Sequence, residues 1–424
     1  MNSYRITGAK DSSGKASNYF ISDGKFVNEG ELASGAKDID AKGLTILPGF
    51  VDLHTHLREP GREDAETVLT ASMAAASGGF TAISAMPNTL PVADTAGVVE
   101  QVYRLGKHHG VCDVFPIGAV TVGQSGAQLA ELAAMNQSEA GVRIFSDDGH
   151  CVFDPLVMRR ALEYVKIFDG VIAQHAQDPR LTQDSQMNEG EVSARLGLKG
   201  WPAVAEEAII ARDVLLAEHV DSRLHICHVT TAGGVEIIRS AKKRGIKVTA
   251  EVTPHHLLLT DDLAESYDPV YKVNPPLRTK DDVQALREGL ADGTIDIVAT
   301  DHAPHPHESK DCEWSAAAFG MVGLETAFSI AYQAMVETKL ITLTQLVDRL
   351  SKNPAEIGRY KDHGSISIGA RANFTLVDLH ANWQVERLKL ASKSKNTPFD
   401  GMVLPAVITK TFHNGALVYE RNSK

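Results

Sequence analysis

The sequence predicts an α/β fold, a closed (β/α)8 barrel with a small β-sandwich built from both chain ends. From about Gly49 to Gly320, short β-branched runs alternate with longer amphipathic stretches, the rhythm of strands followed by helices. The runs number eight, and no GxGxxG follows the first of them, which disfavours the alternative of an open doubly wound sheet. Both ends of the chain instead carry short alternating segments broken by Gly, Asn and Asp turns.

The candidate strands are Phe50–His56, Phe80–Met86, Asp113–Ala119, Val142–Asp147, Val171–His175, Arg223–His228, Ile246–Glu251 and Ile295–Asp301. Each ends in a Gly, Pro, His or Asp cluster that reads as a loop. Between them, Thr95–His108, Pro155–Ile167, Val204–Glu218 and Gly233–Arg244 carry apolar residues at spacings of three and four, as helices with one buried face do. At the ends, Phe20-Ile-Ser-Asp-Gly-Lys-Phe26 and Thr411-Phe-His-Asn-Gly-Ala-Leu-Val-Tyr419 have the form of hairpins. Neither end has enough apolar residues for its own core. Residues 1–49 and 365–424 are therefore expected to combine into one β domain beside a catalytic barrel at 50–364.

The 424 residues are 43% hydrophobic and 23% charged, enough to bury a sizeable core. Lys plus Arg total 42 against 54 Asp plus Glu, a net charge of −12, and no run of five basic residues occurs. Nucleic acid and acidic membranes are thus disfavoured as partners. The stretch Met1–Lys10 is polar and no long apolar run follows, so a cytoplasmic location is expected. Cys112, Cys151, Cys227 and Cys312 are scattered without a CxxC pair, which indicates neither a disulfide framework nor a cysteine zinc ribbon. On a strand, Cys227 would face away from His228.

Reactive groups of a (β/α)8 barrel sit at the C-terminal ends of its strands. His54 and His56 close the first strand at spacing two, which puts both imidazoles on one face where they can converge on a cation. Asp148, His175, His228 and Asp301 close strands four, five, six and eight. A histidine and carboxylate set without cysteine is what catalytic zinc or manganese sites use, because it leaves coordination positions for water and substrate; zinc is the first expectation. A carboxylate shared by two ions would allow a binuclear centre holding an acidified bridging water. Asp301, within Ala299-Thr-Asp-His-Ala-Pro-His305, could bind the ion and take the proton of the attacking water. A plain helix cap, its bland reading, does not account for His302 and Pro304 beside it.

Taken in order and spacing, His54-Thr-His56-Leu-Arg58, Met86-Pro-Asn-Thr89, Val273-Asn-Pro-Pro-Leu-Arg278, Ala299-Thr-Asp-His-Ala-Pro-His305 and Gly323-Leu-Glu-Thr326 resemble the signature series of bacterial type I dihydroorotases. The similarity covers nearly the whole chain, including the split β domain and Ser394-Lys-Asn-Thr-Pro398. The resemblance implies reversible cyclisation of N-carbamoyl-L-aspartate to L-dihydroorotate with one or two zinc ions. It implies that His54, His56 and Asp301 hold one metal, that His175 and His228 hold a second, and that Asp148 bridges them. It assigns Arg58, Asn88, Asn274 and His305 to substrate, and a fork-shaped guanidinium does suit an anionic substrate. A homodimer and an association with aspartate transcarbamoylase are further expectations from it.

Several positions keep a second reading. Asn88 and Asn274 adjoin prolines and could be turn residues. Arg278 could equally be a solvated loop charge, and His255 and His256 read as packing or supporting the site. Ile144-Phe-Ser-Asp-Asp-Gly149 offers no lysine where many amidohydrolases of this build carry a carboxylated one, which weighs against hydantoinase and dihydropyrimidinase and leaves Asp147 as the alternative to Asp148. After His175 the chain has Ala176-Gln177 where some relatives have Cys-Glu. Arg58 directly after the HxHL motif weighs against allantoinase and hydantoinase. A non-catalytic subunit supporting aspartate transcarbamoylase could dispense with metal ligands, and this chain keeps the full set. The charged, small-residue loop His305–Phe319 reads as a lid.

Overall fold

Phe50–Thr55 and Phe80–Ala85 are buried at every position, as parallel strands covered on both faces must be. In the computed structural model, which describes residues 3–421, these two pair in parallel, and the second pairs with Asp113–Pro116. A second parallel run joins Ile144–Phe145, Val171–Gln174, Leu224–Ile226, Val248–Val252 and Ile297–Val298. Bridges between Gly118 and Phe145 and between Thr55 and His302 connect the two runs at both edges, so the eight strands close into a barrel.

The intervening helices follow from their own sequences. In Pro155–Val165 the Asp154 carboxylate accepts from the backbone N–H groups of Leu156 and Val157, and Pro155 occupies the first turn, where its missing N–H costs nothing. Met158, Ala161, Leu162 and Val165 then form its buried stripe. Ala96–His109 ends at Gly110, whose φ of 64° is the left-handed conformation that closes a helix. Among the described residues, no helix is long and apolar enough to cross a membrane.

The two chain ends do combine. Their strands form one mixed sheet in the order Ala416–Glu420, Val403–His413, Phe374–Gln384, Thr45–Pro48, Tyr4–Lys10, Ala16–Ser22 and Lys25–Val27, with Lys37–Asp40 also paired to Tyr4–Lys10. The expected hairpins turn at Asp23-Gly24 and Asn414-Gly415, all four with positive φ, as tight two-residue turns require. This sheet curls upon itself: Lys25 pairs with Arg371, and Phe26 lies 5.4 Å from Phe374 although three strands separate them in the pairing order. Phe374 in turn stacks on Phe412 at 4.4 Å, so the curl encloses a core of its own. Asp113 joins this sheet to the barrel, facing His363 at 3.0 Å and His413 at 3.3 Å.

Candidate metal centre

The six ligand-type residues read from the sequence all lie at the same barrel mouth and are all buried. His54 is still within its strand, whereas Asp148, His228 and Asp301 stand two or three residues beyond theirs. His228 and Asp301 have φ of 30° and 46°, and Arg58 has 63°. Non-glycine residues held there store about 1–3 kcal/mol each, strain that the surrounding fold sustains where geometry matters. The turn at His228 also changes an expectation. Strand alternation ends at Ile226, so Cys227 enters the barrel interior within 4.8 Å of the polar atoms of His54 and Glu251, on the same side as the histidine site.

Asp148 is the centre of the cluster. Its Oδ1 lies 3.1 Å from His175 Nδ1, 3.2 Å from His228 Nε2 and 3.4 Å from His54 Nε2, and its Oδ2 lies 3.4 Å from His56 Nε2. Asp301 Oδ1 is 3.0 Å from His56 Nε2 and 3.5 Å from His54 Nε2. Asp147 is turned away: its carboxylate accepts from the backbone of Val120 and Thr121 at 2.8 and 3.0 Å and from the Thr121 hydroxyl at 2.5 Å. Between the two aspartates, Asp148 is thus the one that faces the histidines.

These residues suit a cation. His54 Nε2 is buried between two carboxylates without a hydrogen-bond partner, and an unsatisfied buried polar atom costs about 1–3 kcal/mol. His175 Nδ1 and His228 Nε2 face each other at 2.9 Å beside the same carboxylate oxygen. Burial opposes a charge on His54, yet Asp148, Glu251 and Asp301 hold it well above the usual histidine range. Burial likewise pushes Asp301 upward, but His54 and His56 outweigh it and keep that carboxyl at about 2. A pocket whose carboxylates hold a proton on a buried imidazole is one where a metal ion can take that proton's place.

The residues expected to touch substrate surround the same opening. Arg58 is buried, with Nε donating to Pro304 O at 3.1 Å; burial and the neighbouring Arg62 lower its pKa to about 10, leaving it charged at neutral pH. His305 Nε2 lies 2.7 Å from Phe319 O while its Nδ1 is buried and unpartnered, and burial with Arg58 and Lys310 lowers its pKa to about 3. Asn274 Nδ2 donates to Gln177 Oε1 at 3.3 Å, and its Oδ1 has no partner. Asn88 is already engaged on one side, with Oδ1 2.9 Å from His56 Nδ1. Arg278 is no solvated charge: it is 1% exposed and donates to Thr230 Oγ1, Asn188 Oδ1 and Trp201 O. His256 bonds Thr253 Oγ1 and Pro275 O, steadying the turn after Asn274, while burial lowers the pKa of His255 to about 4.

Comparison with known proteins decides the family. Residues 43–233 match the family described as dihydro-orotase-like. The chain is 64% identical to the dihydroorotase of Streptomyces coelicolor, an alignment covering 98% of each protein. It is 61% identical to the dihydroorotase of Leifsonia xyli over 97% of this chain and 94% of that one. The chain belongs to the dihydroorotase family. Among solved structures, the L-hydantoinase (dihydropyrimidinase) of Arthrobacter aurescens has the same fold, with a TM-score of 0.88 and 26% identity, covering 100% of this chain and 97% of that one. Dihydroorotases and hydantoinases are both cyclic amidohydrolases, and this chain is an enzyme of that kind with a candidate metal site.

Two residues at this dihydroorotase-family site escaped the sequence reading. Glu251 lies 2.5 Å from His54 Nδ1 and 3.0 Å from His225 Nε2, and it also accepts from His228 N at 3.2 Å. A carboxylate on the outer nitrogen of an imidazole directs the other nitrogen at a metal. The available signal was a buried-strand run, Val248–Val252, interrupted by one acidic residue. Gln177 places Oε1 2.6 Å from His175 Nε2 and also receives Asn274 Nδ2. It stands where the sequence showed a departure from some relatives.

Proposed function

We propose that this chain is a type I dihydroorotase, closing and opening the ring between N-carbamoyl-L-aspartate and L-dihydroorotate with zinc. The observation that carries the reading is a pair of ligand triads sharing Asp148: His54, His56 and Asp148, and Asp148, His175 and His228, with the polar atoms of each triad within 4.8 Å of one another. In this reading His54, His56 and Asp301 would hold one ion and His175 and His228 a second, with Asp148 available to both. The ions would polarise the amide carbonyl and acidify a water.

In the hydrolytic direction the water oxygen adds to the ring amide carbonyl, and the C–N bond breaks. Asp301 passes the water's proton to the departing nitrogen, and ring closure runs the same steps backwards. Its depressed pKa supports the role, since it is a carboxylate throughout the neutral range. Arg58 offers two parallel donors to a substrate carboxylate. Asn274 Oδ1 and His305 Nδ1, both buried and unpartnered, would find their partners in the substrate's polar groups. Asn88 divides its amide, the oxygen orienting His56 and the nitrogen left for substrate. Residues 50–364 would be the catalytic unit and 1–49 with 365–424 its β domain.

The test is ring closure of N-carbamoyl-L-aspartate, followed by the absorbance of dihydroorotate, with metal analysis of the same sample. Turnover that disappears on chelation and returns with zinc is the expected result. No turnover by fully metallated protein would sink the substrate assignment. The reading extends to a cytoplasmic homodimer that can associate with aspartate transcarbamoylase. Light scattering of the chain alone and with that partner is the check.

A further inference from the structure

Ser394-Lys-Asn-Thr-Pro398 lies between two strands of the end sheet, Phe374–Gln384 and Val403–His413, yet its contacts are at the barrel mouth. Asn396 is 7% exposed. Its Oδ1 accepts from His305 N at 3.2 Å, and its Nδ2 donates to Ala303 O at 3.0 Å and to Gly320 O at 3.2 Å. Its main-chain oxygen also accepts from Val322 N at 3.1 Å. A loop asparagine ordinarily bonds to its own neighbouring backbone. This one instead ties together the two arms of the loop His305–Phe319, one entering at Ala303 and His305, the other leaving at Gly320 and Val322.

The arms are held very close. Gly320 has φ +143°, and a Cβ placed there would come within 2.8 Å of Ala303 Cβ and 2.9 Å of His305 Nε2. With Nε2 of His305 committed to Phe319 O, the imidazole keeps its buried, unpartnered Nδ1 in one orientation. The segment carrying Asn396 is itself anchored to the loop that bears Arg58. Ser392 Oγ and Lys393 N donate to Glu66 at 2.5 and 3.1 Å, and Ser394 Oγ donates to Ala65 O at 2.6 Å. Glu66 also lies 3.3 Å from His302 Nε2.

We infer that Asn396 is a positioning residue of the ring-closing reaction, acting through His305 by clamping both arms of its loop so that Nδ1 meets the substrate. The inference rests on the proposed substrate role of His305. It makes the chain's C-terminal stretch, which belongs to the end sheet by connectivity, a wall of the substrate site.

The experiment uses the metallated full chain with Asn396→Asp, Asn396→Ala, His305→Ala and the double variant His305→Ala with Asn396→Ala. Asn396→Asp is isosteric and keeps the acceptor for His305 N but loses both donated bonds, so it separates the clamp from packing. Each Asn396 variant is expected to raise KM about tenfold while kcat changes about twofold or less. Metal content of Asn396→Asp should match the unsubstituted protein, and the melting temperature should stay above the assay temperature although two buried hydrogen bonds are lost. The double variant should be no worse than His305→Ala alone, because a residue acting through another loses its effect when that one is gone. Multiplying losses in the double variant, with His305→Ala raising KM, would overturn the clamp and leave the role of His305 standing. An unchanged KM in His305→Ala would overturn both, and an unchanged KM or lost metal in Asn396→Asp would overturn the clamp.

Discussion

Asp301 stands 3.0 Å from His56 Nε2 on a backbone bent to φ 46°, and its carboxyl is kept ionised by two histidines. Asp301→Asn is therefore expected to lower kcat by about 10²–10⁴-fold with the circular dichroism unchanged. Near-normal turnover would remove Asp301 from the proton path. Arg58→Ala should raise KM about tenfold or more while the protein still binds metal, since its Nε donates to Pro304 O and, among the described residues, no hydrogen bond joins it to the six clustered side chains. Glu251→Gln is expected to weaken metal binding by about 10–100-fold in titrations of the stripped protein, as loss of a histidine's outer carboxylate does elsewhere. His54 and His56 were legible because a spacing of two on a strand puts both on one face. Glu251 was not, because His54 lies 197 residues away and only barrel closure brings it within 2.5 Å, while His225 reaches Glu251 at 3.0 Å from the neighbouring paired strand.

At the scale of elements, turn chemistry was readable locally. Asp23-Gly24 and Asn414-Gly415 announce hairpins because few other residues accept positive φ at both central positions. The contact between the end sheet and the barrel was not announced. Asp113, at the start of a barrel strand, meets His363 and His413 from segments about 250 and 300 residues away. Burial pushes its carboxyl upward, but hydrogen bonds and charge from the two histidines outweigh this and hold it well below its ordinary 3.8. A depressed carboxyl stabilises the fold fully above the unfolded value and progressively less as pH falls below it toward the folded value. Asp113→Asn is expected to cost about 1–3 kcal/mol at neutral pH by chemical denaturation. That difference from the unsubstituted protein should narrow as pH falls below 3.8, and a difference independent of pH would refute the coupling.

For the whole molecule, the barrel wall is one large apolar cluster, separate from the side chains of the candidate metal site. Chelation should therefore abolish turnover and lower the melting temperature by a few degrees while the far-ultraviolet spectrum persists, with zinc restoring both. Global unfolding on chelation would mean that the ion, and not the core, holds the barrel closed.

Fold class, the number of barrel strands and the residue types at their C-terminal ends were all legible in the chain, because periodicity, turn residues and strand-end position are properties of neighbours a few residues apart. Between Asp148 and Asp147 the sequence had only the family resemblance to favour Asp148, and the tertiary structure supplies the physical difference. Both follow the same short strand, and only the packing of Val120 and Thr121 against Asp147 turns one carboxylate away from the histidines. It alone curled the end sheet, buried Arg278 and carried Asn396 to the barrel mouth. Such contacts join residues tens to hundreds of positions apart, and their distances are set by closure of eight strands and the path of the chain around them, which no local pattern encodes.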